Sequence, residues 1–544
     1  NMLKILKSVL KEAKFILNEI KNSKITPQYL ISDSRKNSIP NFEKSHSGIF
    51  TRMWSRDDRH VKAYKSWGNI KGRKNKRPSF ADNLTYFFNY QINHMYIRYF
   101  MWNFAGKQND IQSHGSITEG QWLSGITFFD EWRLGPQTNL PTSEKNNPGR
   151  NHFYMLPFLL GMIGLIYHYN KNNKDAWIVS LLFIFTGLAI VVYLNQYPYQ
   201  PRERDYAYVG SFYAFAIWIG LGVLGVFDFL KDKLNKQTSA ILASGVCLIA
   251  APTLMASENW DDHNRSGRTI AIDVANNYLK QLEPNAIIFS NGDNDTYPLW
   301  YAQEVEGVRP DVRNVNMSLL GMDWYINQVK QKVYKADPVP SLLIHEDYKG
   351  NKKNGVPTYK NIKRKSALQA IKEVKKLNKC PKNIFIPIDT SLFSATDKEN
   401  WKEKNIVNRI ELTVKGNRIN QHELALLDIL ANFKFERPLY FISSQQTLDK
   451  FSFVGKNNPT TADELLKYVG LLDYVQEEGA VSRLVPFRTN FASQQNVESK
   501  FSFEYLINDY RFGNVNDPDV YFDYYAVRSM VGFRYPFLRL VSTL

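Results

Sequence analysis

The chain has 544 residues, a formal net charge of +17 and two cysteines. That length exceeds what one compact domain usually holds. Cys247 and Cys380 lie far apart, the first inside an apolar run, so the sequence implies no disulfide framework, and no Cys/His cluster has the spacing of a metal site.

Much of the positive charge lies between Lys349 and Lys379. A basic run of this density is compatible with binding to nucleic acid or anionic lipid, but it lacks the interleaved aromatic residues that stack on bases. We interpret it as a solvated insertion with a helix of surface lysines, and we expect no nucleic-acid partner.

The stretch after Met2 is amphipathic and rich in lysine, without the apolar centre of a cleavable signal. We expect the chain to be truncated at both ends. Leu84–Ala105 has helical propensity, but its polar residues are too many for a lipid-exposed span, and it is predicted to lie at the membrane interface or inside a bundle. Residues 1–152 are thus predicted to contain an N-terminal amphipathic helix, extracytoplasmic loops and this aromatic helix.

Four apolar runs follow, each close to the ~17–25 residues that cross a bilayer as a helix. They are Phe153–Tyr169, Ala176–Leu194, Val209–Leu230 and Ser239–Ala256. Residues 153–256 are therefore predicted to form four transmembrane helices. The loops after the first and third runs are short and carry lysines, which places them in the cytoplasm and places the middle loop and the C-terminal half on the opposite side.

That middle loop, YPYQPRERDYAY, carries charges that are costly between two spans unless they have a role. Arg202 and Arg204 are candidates for binding a phosphate, because a guanidinium group binds phosphate oxygens bidentately. Glu203 and Asp205 are candidates for orienting the arginines or binding an acceptor. Tyr199 and Tyr206 are candidates for stacking on a sugar or anchoring at the interface. The alternative is a structural ion-pair cluster that holds the loop.

Three further candidates follow the last span and are expected near the membrane surface: Asp261, His263 and Arg265. A lone histidine at such a position is also compatible with a structural, hydrogen-bonded role.

The C-terminal half alternates between strand and helix patterns, which predicts a parallel α/β layer. The predicted elements are a helix at Arg268–Leu282, a strand at Ala286–Ser290, a turn at Asn291–Thr296, a helix from Pro298 to Val305, a strand at Arg313–Asn316, a helix at Met322–Val333, a helix at Glu423–Asn432 and a strand at Leu439–Ser444. Residues 257–460 are predicted to form this extracytoplasmic domain, and residues 461–544 a helical C-terminal region that can begin a set of helical repeats.

The predicted turn NGDNDT contains Asp293, Asn294, Asp295 and Thr296, at the carboxyl end of a strand, where ligands bind in open α/β sheets. Paired carboxylates can hold a divalent ion together with a diphosphate. The same residues also favour turns and helix caps, so a purely structural role is the alternative. The sequence contains neither a Gly-rich dinucleotide loop nor a Walker motif.

Several strings together resemble one family. They are NHMYIRYFMWNFAGKQNDIQ, YLNQYPYQPRERDYAYVGSFYAFAIWIGLG, ENWDDHNRSGR, NAIIFSNGDNDTYPLWYAQEVEGVRPDVRNVNMSLL and RPLYFIS. They are similar to the C-terminal two-thirds of bacterial membrane proteins in glycosyltransferase family 117, long described as a domain of unknown function. The animal relatives of that family are protein O-mannosyltransferases.

The resemblance implies a mixed fold, in which part of a GT-C-type helical membrane domain precedes an α/β domain with a parallel sheet and a helical tail. It implies transfer of a hexose such as mannose from a polyprenyl-phosphate carrier to Ser or Thr of exported proteins. The expected location is the bacterial inner membrane, with the C-terminal domain in the periplasm. The expected partners are the lipid-linked sugar, the acceptor protein and membrane lipids. The catalytic acid of such enzymes is expected upstream of this chain.

Two other functions remain open from the sequence. The chain can be a non-enzymatic envelope scaffold that binds partner proteins. It can also be a transferase that uses a nucleotide sugar and a metal at Asp293 and Asp295, although the predicted topology places these acids away from the cytoplasm, where nucleotide sugars reside.

Overall fold

The structure is a computed structural model that describes residues 50, 53–70, 78–414, 416–442, 471–489 and 496–543. The chain divides into two compact units. The first contains Asn1–Phe100 and Asn172–Ala216, and the second contains Met101–Lys171 and Ile217–Leu544. The predicted amphipathic helix after Met2 lies outside the described residues.

A long helix rich in aromatic residues, called here the aromatic helix (residues 80–104), belongs to the first unit up to Phe100. Its consecutive segments are Phe80–Tyr86, a π-helical Phe87–Ile97 and Arg98–Phe104. Ser79 and Asp82 form a capping box at its start. Gln91, His94 and Arg98 are all buried. Of the two predicted placements, packing inside a bundle is therefore the one that fits these residues.

A short polar helix, Asp58–Trp67, precedes the aromatic helix. The helices of the apolar runs are Leu156–Lys171, Asn173–Thr186, Leu188–Leu194, Asp205–Tyr208 (3-10), Val209–Lys231, Lys236–Leu248, Ile249–Thr253 (π) and Leu254–His263. Pro252 lies inside the π segment. Local π-helical geometry is one way in which a membrane helix re-satisfies the backbone groups that a proline leaves free.

Within the described residues, three helices are long and apolar enough to cross a membrane: Asn173–Leu194, Asp205–Lys231 and Lys236–His263. Three of the four predicted spans are thereby confirmed in length and composition. The first predicted run forms the helix Leu156–Lys171, which has 16 residues. As a membrane span it stays a prediction.

Two glycines bring the helices Leu156–Lys171 and Val209–Lys231 into backbone contact. A Cβ atom on Gly164 would lie 1.7 Å from the carbonyl oxygen of Trp218, and one on Gly222 would lie 2.3 Å from that of Leu160. Small residues at such crossings permit the close approach that holds membrane helices together.

A five-stranded sheet organises the C-terminal half. Its strands are β1 (Ile287–Ser290), β2 (Arg313–Asn316), β3 (Leu439–Ile442), β4 (Val475–Glu478) and β5 (Val481–Leu484). Their order is β4-β5-β3-β1-β2; β3, β1 and β2 run parallel, and the hairpin β4-β5 is antiparallel to β3. The parallel layer and its strands β1, β2 and β3 are confirmed, with residues 443–444 outside the described part.

The helix after β1 begins earlier than predicted. The helix α1 spans Asp293–Glu304, so the prediction of a turn through Thr296 and a helix start at Pro298 was wrong. Asp and Asn suit a first helical turn, where carboxylates interact favourably with the helix dipole. Gly292, with φ 76°, allows the sharp exit from β1, and Pro298 lies inside the helix.

The remaining elements surround this sheet. The further helices are Thr127–Leu134, Thr142–Lys145, Ile270–Leu279, α2 (Asp323–Val329), His345–Tyr348, Ala367–Leu377, Ala395–Asn400, Gln421–Asn432, Ser499–Asn508, Tyr524–Met530 and Tyr535–Thr543. The short 3-10 helices are Leu319–Gly321, Lys349–Asn351, Thr390–Leu392, Leu472–Tyr474 and Val531–Arg534. The smaller sheets contain the strands Gly106–Lys107, Asn151–His152, Val356–Tyr359, Lys365–Ser366, Cys380–Pro381, Asn383–Pro387, Arg409–Thr413 and Arg418–Ile419.

The C-terminal region differs from the helical tail that we predicted for residues 461–544. The hairpin β4-β5 completes the sheet, and helices follow only from Ser499 onward. The hairpin residues Val475, Val481 and Leu484 are buried, as strands added to a covered sheet require.

The basic stretch contains the amphipathic helix Ala367–Leu377. Ala370, Ile371 and Val374 are buried on one face, and Lys372 and Lys376 are exposed. The interpretation as a helix of surface lysines agrees with this arrangement.

Candidate functional site

The acid at the centre of the PRERDY loop is held by the aromatic helix. Arg98 donates two hydrogen bonds to Glu203, from Nη2 to Oε2 at 2.8 Å and from Nη1 to Oε1 at 3.1 Å. The Tyr99 hydroxyl donates a further hydrogen bond to the same carboxylate. Arg98 is only 2% exposed, so this is a buried, bidentate ion pair. The structural alternative for Glu203, an ion pair that holds the loop, therefore has direct geometric support.

The aromatic helix also fixes the rest of the loop through its polar groups. The Tyr86 hydroxyl donates to the carbonyl of Gln196 at 2.8 Å, and the Tyr90 hydroxyl to that of Tyr197 at 3.2 Å. The Gln91 amide donates to Asn195 Oδ1 at 2.9 Å. Polar groups of the aromatic helix thus pair with the segment Asn195–Tyr197, at the start of the loop.

Arg98 and Tyr99, which hold the carboxylate of Glu203, were not among the candidates chosen from the sequence. The signal was present, because Arg98 lies in a segment judged too polar for a lipid-exposed span. A buried arginine is costly unless its charge is compensated, most directly by a carboxylate. Glu203 lies 105 positions further along the chain, so sequence spacing gives no indication of the pairing.

The two arginines of the loop, Arg202 and Arg204, are not ion-paired in the way that Glu203 is. In the described part of the chain, neither forms an ion pair with a carboxylate. Arg204 Nη1 donates to the Tyr206 hydroxyl at 2.6 Å, and the Arg202 guanidinium lies 6.0 Å from the centre of the Tyr206 ring. The Tyr99 hydroxyl accepts a hydrogen bond from the backbone N–H of Arg204 at 3.1 Å. Two positive charges thus flank a neutralised acid.

The remaining candidates of the loop surround these arginines. Tyr199 has a φ of 58°, is 42% exposed and lies with its ring centre 6.5 Å from that of His60. Asp205 opens the 3-10 turn that leads into the helix Val209–Lys231. Tyr206 is half-exposed. The loop therefore offers aromatic surface and positive charge side by side.

The side chains of the cluster Asp261–Arg265 are held mainly by Asp262. Asp262 is buried, and its Oδ1 lies 2.6 Å from His263 Nδ1, while its carbonyl accepts from Arg265 Nη1 at 2.5 Å. Asp261, His263 and Arg265 are exposed. His263 Nδ1 also lies 3.0 Å from the carbonyl of Asn259, so both neighbours of this nitrogen are acceptors and it carries the proton.

The NGDNDT residues separate into a buried and an exposed part. Thr296 is fully buried, and Asp293 and Asn294 are exposed at the first turn of α1. Among the described residues, no group of three or more His, Cys, Asp and Glu side chains is placed to hold a metal ion. Asp295 is half-buried, and desolvation raises its pKa from 3.8 to about 7, against a backbone hydrogen bond from Asn291 that lowers it.

Thr296 belongs to a chain of hydrogen bonds between β1, β2 and α1. The Asn316 amide donates to the Thr296 hydroxyl at 2.9 Å. The Thr296 and Ser290 hydroxyls lie 2.8 Å apart, and Ser290 donates to Asn314 Oδ1 at 2.8 Å. The direction is fixed at one end, because Asn316 Oδ1 accepts from the backbone N–H of Leu319 at 3.0 Å. We call these four side chains the polar relay.

Two family models and one curated protein match parts of the chain. A family model described as "TMEM260-associated domain 2" matches residues 271–501, and a family of unknown function (DUF8416) matches residues 11–88. The chain is 22% identical over 186 residues to the protein O-mannosyl-transferase tmem260 of Dictyostelium discoideum. That alignment covers 31% of this chain and 23% of the relative. No solved structure matches the chain.

The match to the TMEM260-associated domain covers the sheet and its surroundings, where β1, α1 and the polar relay lie. The chain spans less than a quarter of the length of the curated relative that it matches. The length and apolar composition of its helices indicate that the chain is a membrane protein. Its weak similarity to a protein O-mannosyl-transferase supports an O-mannosyltransferase-like family and a glycosyltransferase-like role.

Proposed function

We propose that the chain is part of a membrane glycosyltransferase. It transfers a hexose, such as mannose, from a polyprenyl-phosphate carrier to Ser or Thr of exported proteins, at the periplasmic face of a bacterial inner membrane. One observation carries this proposal: Arg202 and Arg204 have no carboxylate partner among the described residues, whereas Glu203 between them is neutralised by Arg98.

The arrangement fits a lipid phosphate. When the bond between the sugar and the phosphate breaks, negative charge develops on the phosphate oxygens, and guanidinium groups held nearby stabilise it. The buried pair of Glu203 with Arg98 fixes the backbone that carries both arginines, so their side chains are positioned before the donor binds. Tyr199 and Tyr206 supply aromatic surface for the sugar, and Asp205 is available to orient an arginine or the acceptor.

The acceptor hydroxyl must lose its proton as the new glycosidic bond forms. We assign this role to no residue of the chain. Asp293, Asn294, Asp295 and Thr296 at the start of α1 remain candidates for an acceptor crevice, with a divalent metal as an optional ligand. Asp261, His263 and Arg265 remain candidates for contact at the membrane surface.

The test is intact-mass spectrometry of exported envelope proteins from cells that lack the complete gene and are complemented with variants. Arg202→Ala and Arg204→Ala are each expected to abolish the hexose-sized mass increment while the protein stays in the membrane. Arg409→Ala is the matched control, because Arg409 is an exposed arginine that pairs with Glu411 at 2.7 Å.

Normal masses with both loop variants would refute the assignment of the arginines. Unchanged masses in cells without the gene would refute the transferase itself. They would favour the envelope scaffold, which crosslinking to partner proteins would then detect.

A further inference from the structure

The helix Thr127–Leu134, called here the surface helix, has aromatic residues outside and an acid inside. Phe128 and Trp132 lie one turn apart on the same face and are 85% and 78% exposed. They are the most exposed phenylalanine and tryptophan among the described residues. On the opposite face, Asp130 and Leu134 are buried. Because a helix at a water surface turns its charged residues outward, this arrangement indicates that the outer face meets something other than water.

The inward direction of Asp130 is fixed by the turn that leads into the surface helix. Its Oδ1 accepts a hydrogen bond from the backbone N–H of Ser124 at 2.8 Å, and its Oδ2 accepts one from that of Gly125 at 3.0 Å. The guanidinium carbon of Arg133 lies 3.8 Å from the centre of the Trp122 ring, and Arg133 Nη2 donates to the Trp122 carbonyl. Both charged side chains thus turn toward the protein, and the outer face is left to aromatic rings.

The exposed apolar surface extends beyond these two rings. Ile126, just before the surface helix, is 49% exposed, and the ring centre of Phe129 lies 5.9 Å from those of Trp122 and Trp132. Since an aromatic side chain offers about 150–250 Å², the two most exposed rings alone present roughly 300 Å². Apolar patches of a few hundred Å² on a protein surface mark sites of interaction.

A series of backbone contacts attaches the surface helix to a candidate membrane span. The backbone N–H of Leu123 donates to the carbonyl of Gly106 at 3.0 Å, and Gly106 pairs with His152 in a two-stranded sheet. The backbone N–H of His152 in turn donates to Glu258 Oε2 at 2.8 Å. Glu258 belongs to Lys236–His263, one of the helices long and apolar enough to cross a membrane. The segment that carries the surface helix is therefore fastened near the C-terminal end of this span.

A second contact ties the surface helix to the start of the helix Leu156–Lys171. A Cβ atom on Gly125 would lie 2.9 Å from the ring of Tyr154, so the backbone before the surface helix touches this ring closely. Tyr154 stands two residues before Leu156–Lys171, which packs against the span Lys236–His263. The surface helix thus adjoins the start of one helix and the end of its neighbour.

Further exposed aromatic residues lie at the same end of these two helices. Tyr154, two residues after His152, is 49% exposed, and Trp260, two residues after Glu258, is 76% exposed. Tyrosine and tryptophan are enriched where a membrane protein passes from lipid to water. Three separate elements therefore present aromatic rings around one contact at the end of a candidate span.

We propose that the surface helix lies in the membrane interface and inserts Phe128 and Trp132 between the lipid headgroups and the acyl chains. A lipid surface is the occupant because the segment is attached to the end of a candidate span, and because aromatic rings are suited to this depth. The contact holds the segment between the aromatic helix and Leu156–Lys171 against the membrane. A protein surface over the same rings is the alternative that the test distinguishes.

This proposal is independent of sugar transfer, because its test measures depth in a bilayer. The purified full chain is reconstituted into phosphatidylcholine nanodiscs, and a nitroxide label is attached to Phe128→Cys or to Trp132→Cys. Electron paramagnetic resonance then compares collisions of the label with oxygen, which concentrates in lipid, and with a water-soluble nickel complex. Both labels are expected about 5–10 Å into the boundary between headgroups and acyl chains, the depth of an interfacial helix.

Trp324→Cys is the matched control, because Trp324 is a tryptophan on the short helix α2 that is 57% exposed. A label there is expected to collide freely with the nickel complex. Cys247 and Cys380 are buried, so the wild-type chain treated with the same reagent gives the background of labelling. Size-exclusion chromatography identifies a variant that fails to fold, and in that event Ile126→Cys, at the exposed residue before the surface helix, takes its place.

Three results would overturn the proposal. Labels on the surface helix that collide with nickel as often as the control label would place this helix in water. Labels that are shielded from both reagents would show that a protein surface, such as a second copy of the chain, covers Phe128 and Trp132. Equal depths at all three labelled positions would show that the surface helix has no special relation to the membrane.

Discussion

Replacing Glu203 with Gln tests the ion pair that positions the arginine-bearing loop. Arg98 and Glu203 have side-chain exposures of 2% and 12%, and they share two hydrogen bonds of 2.8 and 3.1 Å. Removing one partner leaves a buried, unpaired guanidinium, which typically costs about 3–5 kcal/mol. We expect Glu203→Gln to lower the free energy of unfolding by about that amount, measured by SDS titration in mixed micelles.

A double-mutant cycle separates the pair from its surroundings. Arg98→Met combined with Glu203→Leu replaces both charges by apolar groups, so its loss is expected to be smaller than the sum of the single losses by about 2 kcal/mol or more. Arg202→Gln is the control, because Arg202 is exposed, and we expect a change within about 0.5 kcal/mol. A Glu203→Gln protein that is as stable as this control, or a cycle that is additive, would refute the pairing.

Three further predictions concern stability. Gly164→Ala is expected to force two helices apart and to lower the melting temperature of the protein. Gly220→Ala is the control: its Cβ position is open space, so we expect no change or a stabilisation of up to about 1 kcal/mol. Because the pKa of Asp295 is raised to about 7, the folded state prefers the protonated acid, and the stabilisation present below pH 3.8 is lost as the pH rises to 7. Asp295→Asn is thus expected to remove this loss, which is at most about 4 kcal/mol. Urea titrations at pH 4 and pH 8 measure the difference in unfolding free energy between the variant and the wild type. A difference that is equal at both pH values would show that the reasoning is wrong. Thr296→Val interrupts the polar relay and is expected to lower the free energy of unfolding by about 1–3 kcal/mol. Ser318→Ala removes an exposed hydrogen bond and is expected to cause a negligible change in the same denaturation assay.

The sequence was sufficient for elements with a strong period. The strands β1 and β2 and the helix Gln421–Asn432 lie within a few residues of their predicted bounds. The spacing of their apolar residues fits either a helix or a strand but not both, so it identifies the type of element. The start of α1 was misjudged because Asn, Asp and Gly serve both turns and first helical turns. Pro298 was therefore taken as the start of the helix. The helix dipole instead favours Asp293 and Asp295 in the first turn, so the helix begins before Pro298.

The site was predictable only in part, and the difference lies in the range of the interactions. Arg202 and Arg204 attract attention in the sequence because their charges interrupt apolar runs. Nothing local distinguishes them from Glu203, yet the structure places Glu203 against Arg98 and leaves the arginines without an acid in the described residues. The polar relay is similar, since it joins Ser290, Thr296, Asn314 and Asn316 only after β1 and β2 have paired.

The buried charge of Arg98 gives a physical reason for an acid between the two arginines of the loop, in the order Arg202, Glu203, Arg204. In the proposed function the loop presents two guanidinium groups to a phosphate, and the like charges of these groups repel each other. Glu203, placed between the arginines, lets one buried cation on a neighbouring helix hold the backbone from within, without using the charge of either arginine. Exchanging Glu203 for an apolar residue of similar volume would raise the net positive charge of the loop but remove this fixation. We therefore expect such a variant to bind donor phosphate with lower affinity although its loop carries more positive charge.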